Sequence, residues 1–344
     1  MKIKFRSLAA TIAFTLVLPL APLVRAADPV TVDNFIRAET DLYFGGMLKD
    51  SAGAMGSFSH RREPANIDKQ TVIRLNRDTL YSSALFDLDA GPVTITLPDA
   101  GKRFMSMMVV NQDHYVQSVS YDAGKHVIDK AKVGTRYAVV AIRTLVDPTS
   151  PEDLKQVHAL QDAIKVSQPG GPGKFEAPLW DQASQKKVRD ALLVLASTKT
   201  GFEKAFGTKE QVDPINHLIG TAAGWGGNPD KDATYLSFTP AKNDGTTPYK
   251  VVVKDVPVDA FWSISVYNKE GYFEKNAENA YSVNNLTAKK AADGSVTVLF
   301  GGAPDASVNH IPITPGWNYT VRLYRPRKAI LDGTWKFPEP QPVK

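Results

Sequence analysis

Asn76, Arg77 and Asp78 stand together in VIRLNRDTLYSSALFDLD, residues 72–89, between apolar flanks that read as a β-strand. Side by side, these three types suit a ligand site. Arg77 can fix an anionic or carbonyl group, Asp78 can act as a base, and Asn76 can hold a ligand by its amide. Tyr81 adds a hydroxyl donor three residues on. If residues 72–86 form one strand, Asn76, Asp78 and Leu80 share one face while Arg77, Thr79 and Tyr81 share the other. Both faces are then polar at the same level. An unpaired buried charge costs several kcal/mol, on the order of a whole stability margin. Three arrangements are therefore open: a break into an exposed loop, an edge strand with its charges in water, or a polar cavity that supplies partners.

A second group, Asp113, His114 and Tyr115, follows directly on the apolar run FMSMMVV. Polar side chains at the end of a rigid strand can converge on a pocket. Asp113 and His114 are candidate catalytic residues there, Asp113 as the alternative base to Asp78, Tyr115 is a binding residue, and an ordinary turn is the alternative. Further along, FWSISVYN divides by alternation. Trp262, Ile264 and Val266 read as core; Phe261, Ser263, Ser265 and Tyr267 form a mixed face suited to solvent or a binding wall. Tyr281 lies among Asn276, Asn279 and Asn284, most of which turn chemistry explains. Trp225, between two glycines, reads as a lid, an anchor or a buried plug. Ser184 and Lys187 share an S-x-x-K spacing but fall on the polar face of an expected helix. No nucleophile elbow, zincin helix, Walker loop or dinucleotide turn occurs. The six histidines show no metal-ligand spacing, and no organic cofactor is expected. Asp87 and Asp89 share a strand face that could ligate calcium, with a solvated hairpin end beside the Ala-Gly turn as the alternative.

Several elements must position these residues. Residues 31–50 carry apolar side chains at helical spacing, with Gly45-Gly46 either a weak point or a close approach. From 71 to 147, runs rich in β-branched and aromatic residues alternate with short turn signals, which suits an antiparallel sandwich. Ser150-Pro151-Glu152-Asp153 opens a helix expected to reach about Val166. Further helices are expected over 181–196, with Val188, Leu192 and Leu195 on one face, and over 213–224. Strands return from 249, and a proline-rich tail follows Trp335.

Lys2, Lys4 and Arg6 precede an apolar run from Leu8 to Val24, which predicts a leader cut after Ala26. Four of the 41 basic residues lie in that leader. The remaining 37 face 36 acids, so the balance falls from +5 to +1. Composition then offers no basic patch for nucleic acid, and no other segment is long and apolar enough to span a membrane. The absence of cysteine excludes thiol catalysis and thiolate metal sites. The expected location is periplasmic or secreted.

The run NRDTLYSSALFDLDAGPVTITLPD, with QDHYV downstream, resembles the bacterial family called domain of unknown function 1254. FWSISVYNKEGYFEKNAENAYSVNN, followed by PITPGWNYTVRLYRPRKAILDGTWKFP, resembles its usual companion, domain of unknown function 1214; IGTAAGWGGNPDKDATYL is similar to the connector of short members. One departure is Asn309-His310, where many relatives carry tryptophan after the asparagine. The resemblance implies a mainly β, α+β fold of two antiparallel β-sandwiches, the first immunoglobulin-like and the second jelly-roll-like. The expected organisation is a signal peptide over 1–26, an N-terminal sandwich with leading helix over 27–147, a helical connector over 148–235 and a C-terminal sandwich over 236–344. No catalytic residue is inherited. The expected activity is that of a hydrolase acting on a small molecule or an envelope-derived peptide or glycan fragment around Arg77 and Asp78. The alternative is a non-catalytic periplasmic module for ligand binding or interaction.

Overall fold

A computed structural model describes residues 26–70, 73–199 and 201–343. The expected leader lies outside the described residues except for Ala26. In chain order the first part contains α1 (Phe35–Asp50), β1 (Ser59–His60), β2 (Thr79–Asp87), β3 (Val93–Leu97), β4 (Met105–Asn111), β5 (Val116–Ser120), β6 (Gly124–Ile128), α2 (Lys130–Val133) and β7 (Tyr137–Leu145). The middle holds α3 (Pro151–Asp162), β8 (Lys165–Ser167), α4 (Gln182–Ala196) and α5 (Pro214–Gly224). The last part runs β9 (Ala233–Phe238), β10 (Tyr249–Val253), β11 (Trp262–Tyr267), β12 (Ser282–Asn284), β13 (Val296–Phe300), β14 (Asn309–Ile311), β15 (Asn318–Tyr324), α6 (Lys328–Leu331) and β16 (Gln341–Pro342).

These strands build two sandwiches, so the chain is mainly β with attached helices. A five-stranded sheet, β1-β2-β7-β4-β5, packs on the three-stranded β6-β3-β8. Between them lie Ala84, Phe86, Ile95, Met107, Val140 and Ile142, all buried. The second sandwich stacks β14-β13-β10-β16 on β12-β11-β15-β9, two sheets of four, the strand complement of a jelly roll. Its core holds Trp262, Ile264, Val266, Trp317 and Tyr319. Pairing is antiparallel apart from β13 with β14 and the isolated bridge of Asp28 with Trp180. The tail is not merely extended: β16 adds an edge strand to β10.

Three local expectations need correction. The long strand over 72–86 begins only at Thr79; residues 73–78 form an irregular approach to it. The helix opened by Ser150, whose hydroxyl accepts from Asp153 N at 3.2 Å, stops at Asp162. Ile164 and Val166 are drawn instead onto the core of the first sandwich, and the segment around Val166 becomes β8. On α4, Val188 and Leu192 pack against α1 and α5 while Leu195 is exposed and Ala196 takes the inner place. Asp181 and Asp213 cap α4 and α5 as their positions before the helices imply. Among the described residues no helix is long and apolar enough to cross a membrane.

Helices α1, α4 and α5 form a small cluster that covers the outer face of the five-stranded sheet, where Phe44 meets Leu85, Tyr137 and Val139. Two glycines separate space from propensity. A Cβ on Gly46, exposed in mid-helix, would meet nothing within 4 Å, whereas one on Gly170 would fall 1.6 Å from the Ala90 carbonyl oxygen. Gly46→Ala should therefore stabilise the protein by about 0.5–1 kcal/mol, and Gly170→Ala should cost about 1–3 kcal/mol through forced displacement. Urea unfolding of the two variants measures both, and equal effects would contradict the packing described.

Candidate functional site

The two sandwiches meet along a buried polar seam. Residues 73–78 cross the outer face of β11 and β15 before entering β2, and the second sandwich holds this passage by its backbone. Arg322 donates to the Arg74 carbonyl at 2.8 Å and the Leu75 carbonyl at 3.3 Å. Tyr267 donates to the Leu75 carbonyl at 2.8 Å while accepting from Arg322 at 2.7 Å. Asn76 donates from Nδ2 to the Tyr324 hydroxyl at 3.0 Å, and its Oδ1 accepts from Asp78 N at 2.8 Å. The mixed face of FWSISVYN is thus a wall, and what it binds first is this chain's own segment.

Asp78 is 1% exposed, with Oδ1 accepting from Asn284 Nδ2 at 3.0 Å and Oδ2 without a hydrogen-bond partner among the described residues. Burial lifts its carboxyl above the ordinary range, against the opposing pull of Arg322, Ser263, Asn284 and Arg77. Arg77 does not pair with it directly. Its guanidinium donates to the Ala65 carbonyl and lies over the Tyr281 ring, 5.4 Å from the centroid. Burial draws its pKa down, yet a guanidinium remains charged. Arg77, Asn279, Tyr281, Ser282, Asn284, Pro148, Thr149 and Thr287 line a cavity of about 420 Å³ between the sandwiches. The polar triplet thus sits off the strand, with one member sealed indoors and partnered by Asn284 and another lining a hollow.

Register reveals a second layer that the sequence reading missed. Across the first sheet Tyr81, Arg143 and Ser106 stand opposite one another on β2, β7 and β4. Across the second, Ser263, Arg322 and Tyr235 do the same on β11, β15 and β9. Arg143 is 7% and Arg322 4% exposed. Arg143 donates to the Gly226 carbonyl at 2.9 Å and Asn228 Oδ1 at 3.3 Å, and its guanidinium lies 5.5 Å from the Tyr81 ring centroid. The rows face each other, since Arg143 interacts electrostatically with Tyr81, Tyr235 and Tyr324, and Tyr81 with both arginines. Burial alone would raise the Tyr81 phenol, but Arg143, Thr79 and Arg322 outweigh it and hold the phenol below its ordinary value. Tyr324 is driven far the other way, first by burial. In the sequence Arg143 and Arg322 each interrupt an apolar strand, as the triplet at 76–78 does, but that pattern does not say whether the side chain turns inward.

Asp113, His114 and Tyr115 are not brought to the Arg77 cavity. Their loop follows Asn111, which pairs with Ala138, while Thr79 pairs with Leu145. Seven residues of strand, roughly 23 Å, separate those levels. Asp113 binds Arg37 at 2.6 Å. His114, with φ of 60°, is sealed. Gly226 N donates to its Nε2 at 2.8 Å, so Nδ1 carries the proton and donates to Thr221 Oγ1 at 2.7 Å. Burial, then His217, lowers its pKa well below the usual imidazole range. Tyr43, Trp225, His114, His217 and Tyr115 stack as a column with neighbouring centroids 4.5, 5.2, 5.5 and 4.7 Å apart. Trp225 is thus a half-buried plug that locks α5 to α1, and Gly226 after it touches both His114 and Arg143. Among the described residues no cluster of three or more acidic or histidine side chains is arranged to hold a metal.

The raised carboxyl of Asp78 has a thermodynamic consequence. Its contribution to stability is complete below the unfolded value, about 3.9, and is lost as pH rises through the higher folded value. The stability of the protein relative to Asp78→Asn should therefore fall between about pH 4 and neutrality. Denaturant unfolding across that interval checks this, and a difference that stays flat or grows contradicts a sealed carboxyl.

Comparison with known proteins adds the family. Residues 55–127 match the family model described as Protein of unknown function (DUF1254), and residues 235–328 match Protein of unknown function (DUF1214). The VPA0106 protein of Vibrio parahaemolyticus superposes with a TM-score of 0.70 at 17% identity, covering 91% of this chain and 98% of its own. An uncharacterized protein from Burkholderia cenocepacia superposes with a TM-score of 0.52 at 15% identity, over 91% of this chain and 87% of its own. Likeness at such identity concerns the fold alone. No curated protein matches the chain. Over residues 55–127 and 235–328 the chain belongs to the DUF1254 and DUF1214 families.

Proposed function

We propose that the protein binds a small, polar, anionic molecule in the cavity between the sandwiches, with Arg77 holding the acidic group. The observation that carries this reading is the setting of Arg77. Its guanidinium is half-buried, braced by the Ala65 carbonyl and the Tyr281 ring, and it lines a cavity of about 420 Å³. That volume suits a small ligand. The hydroxyls of Thr149, Ser282 and Thr287 and the amides of Asn279 and Asn284 on the same wall suit hydroxyl or amide groups. An acidic saccharide or peptide fragment of the cell envelope combines these features. The basic and apolar leader supports delivery outside the cytoplasm, where such fragments occur.

A hydrolytic reading draws on a different observation. The lifted carboxyl of Asp78 keeps its proton more readily than an exposed one, and Asn284 connects it to the cavity wall. A carboxyl of that kind can serve as a general acid. Asp113 and His114 add nothing to this reading, because their polar groups are spent on Arg37, Thr221 and Gly226.

Thermal-shift and native mass-spectrometric screens against acidic saccharides, peptides and dicarboxylates test the binding reading. A true ligand at a hundredfold excess over its dissociation constant should add about 2.7 kcal/mol of stability. Arg77→Ala should weaken it by ~10- to 150-fold, the worth of a charge-assisted hydrogen bond of about 1.5–3 kcal/mol. Parallel assays with ester, peptide and glycan panels test hydrolysis, and turnover that survives both Arg77→Ala and Asp78→Ala would falsify that version.

A further inference from the structure

The wall of the Arg77 cavity is polar, but few of its groups are free to receive a ligand. Asn284 is spent: its Nδ2 donates to Asp78 at 3.0 Å, and its Oδ1 accepts from Leu286 N at 2.9 Å and Thr287 N at 3.0 Å. The Thr287 hydroxyl bonds back to Asn284, and the Thr149 hydroxyl donates to Asp147 at 2.7 Å. Arg77 gives an N–H to the Ala65 carbonyl and keeps the rest of its fork. The Ser282 hydroxyl and the Asn279 Nδ2 have no hydrogen-bond partner among the described residues. The free polar groups are thus a guanidinium, an amide N–H pair and a hydroxyl.

One side chain holds two of these donors. The Tyr281 ring lies 5.4 Å from the Arg77 guanidinium, and its O–H donates to Asn279 Oδ1 at 3.1 Å, which leaves Nδ2 as the open end of that amide. Tyr281 is 5% exposed and packs against Phe273 in a cluster with Tyr267, Ile67 and Leu75. Asn279 stands at φ of 53°, in the left-handed region. Asn276 buckles that turn, accepting from Ala280 N at 3.1 Å and donating to Ala280 O at 2.9 Å. A left-handed residue other than glycine persists where its surroundings over-determine it. Asn279 is therefore a placed residue on the cavity wall.

We propose that the group read in this cavity is a single carboxylate, held by Arg77, Asn279 and Ser282, with Tyr281 as the positioning residue that fixes the first two. The inference rests on the reading of the cavity as a ligand site. Guanidinium and amide N–H groups only donate, and the serine hydroxyl can do so, which matches a group that only accepts. Charge sets the class. Arg77 is the one charged side chain lining the cavity, so it neutralises a monoanion, whereas a phosphate ester with close to two charges is left in excess.

Calorimetric titration of the protein tests this with lactate, glucuronate and N-acetylmuramate, against uncharged glucose and N-acetylglucosamine and against glycerol phosphate. At least one carboxylate should bind ~10-fold tighter than every uncharged sugar and than glycerol phosphate. Asn279→Asp keeps an oxygen for the Tyr281 hydroxyl but sets a like charge against the ligand. It should weaken that carboxylate by ~10-fold or more at an unchanged melting temperature. Tyr281→Phe keeps the ring under Arg77 and releases the amide. It should weaken binding, and the double variant with Asn279→Ala should lose no more than Asn279→Ala alone; additive losses overturn the positioning role. If Tyr281→Phe does not fold, the exposed Asn279 decides through its own variants. Binding that is lost in Arg77→Ala but unchanged in Asn279→Asp overturns this inference and leaves the cavity reading standing. Tighter binding of glycerol phosphate overturns the carboxylate, and no binding of any probe overturns both.

Discussion

A guanidinium buried far from water must find acceptors for its protons, and the seam between the sandwiches is organised by that demand. Arg322, at the centre of β15, takes two backbone carbonyls from residues 74 and 75 together with the Ser265 and Tyr267 hydroxyls. Carbonyls can be offered in this way only by a segment outside a ladder, because a strand would spend them on its neighbours. The irregular passage over 73–78 is therefore a requirement of the second sandwich. Breaking it would strand Arg322, and losing Arg322 would leave the passage without an anchor.

The same logic carries through the rest of the molecule. Arg143 draws the Gly226 carbonyl and Asn228 onto the first sheet, and Gly226 N donates to His114 on the side away from Arg143. Trp225 is fixed in passing, stacked 4.5 Å from Tyr43 of α1. One buried cation on each sheet thus ties a loop to a framework: the entry to β2 in one case, the exit from α5 in the other. Apolar contact closes the seam at one edge, where Phe261 stacks 4.2 Å from Tyr324 beside Phe104 and Leu145. Apolar burial gives the two sandwiches adhesion, and the directional bonds of the arginines give them a register.

Polar placement also separates the roles of residues that look alike in sequence. Asp78 and Asp113 each lie within two residues of an asparagine beside the end of an apolar strand. Asp113 remains at the surface in a pair with Arg37, whose side chains are 39% and 41% exposed, an arrangement worth little in stability. Asp78 is sealed, and burial holds its pKa above the usual carboxyl range. Tyr81 and Tyr324 differ for a related reason: Tyr81 is half-buried with Arg143 across from it, while Tyr324 is buried and surrounded by other phenols.

Local chemistry was legible wherever it acts over a few residues. Caps at Ser150, Asp181 and Asp213 marked their helices, alternation placed Trp262, Ile264 and Val266 in a core, and the motifs around NRDTLY and FWSISVYN pointed to the families. A charged triplet between apolar flanks also stood out as an anomaly, and the chain does leave the strand there. The end of α3, the conversion of residues 165–167 to strand and the late start of β2 were not legible, since each depends on a distant sheet needing an edge or a distant arginine needing carbonyls. Arg143 and Arg322 lie about 180 residues apart, and nothing local distinguishes a strand arginine that turns to solvent from one that turns inward. By itself the sequence determined most of the strand and helix segments and which residue types are available, because propensity and alternation are short-range. Only the tertiary structure decided which charges face one another, because burial and electrostatic pairing depend on the packing of two sandwiches that do not touch along the chain.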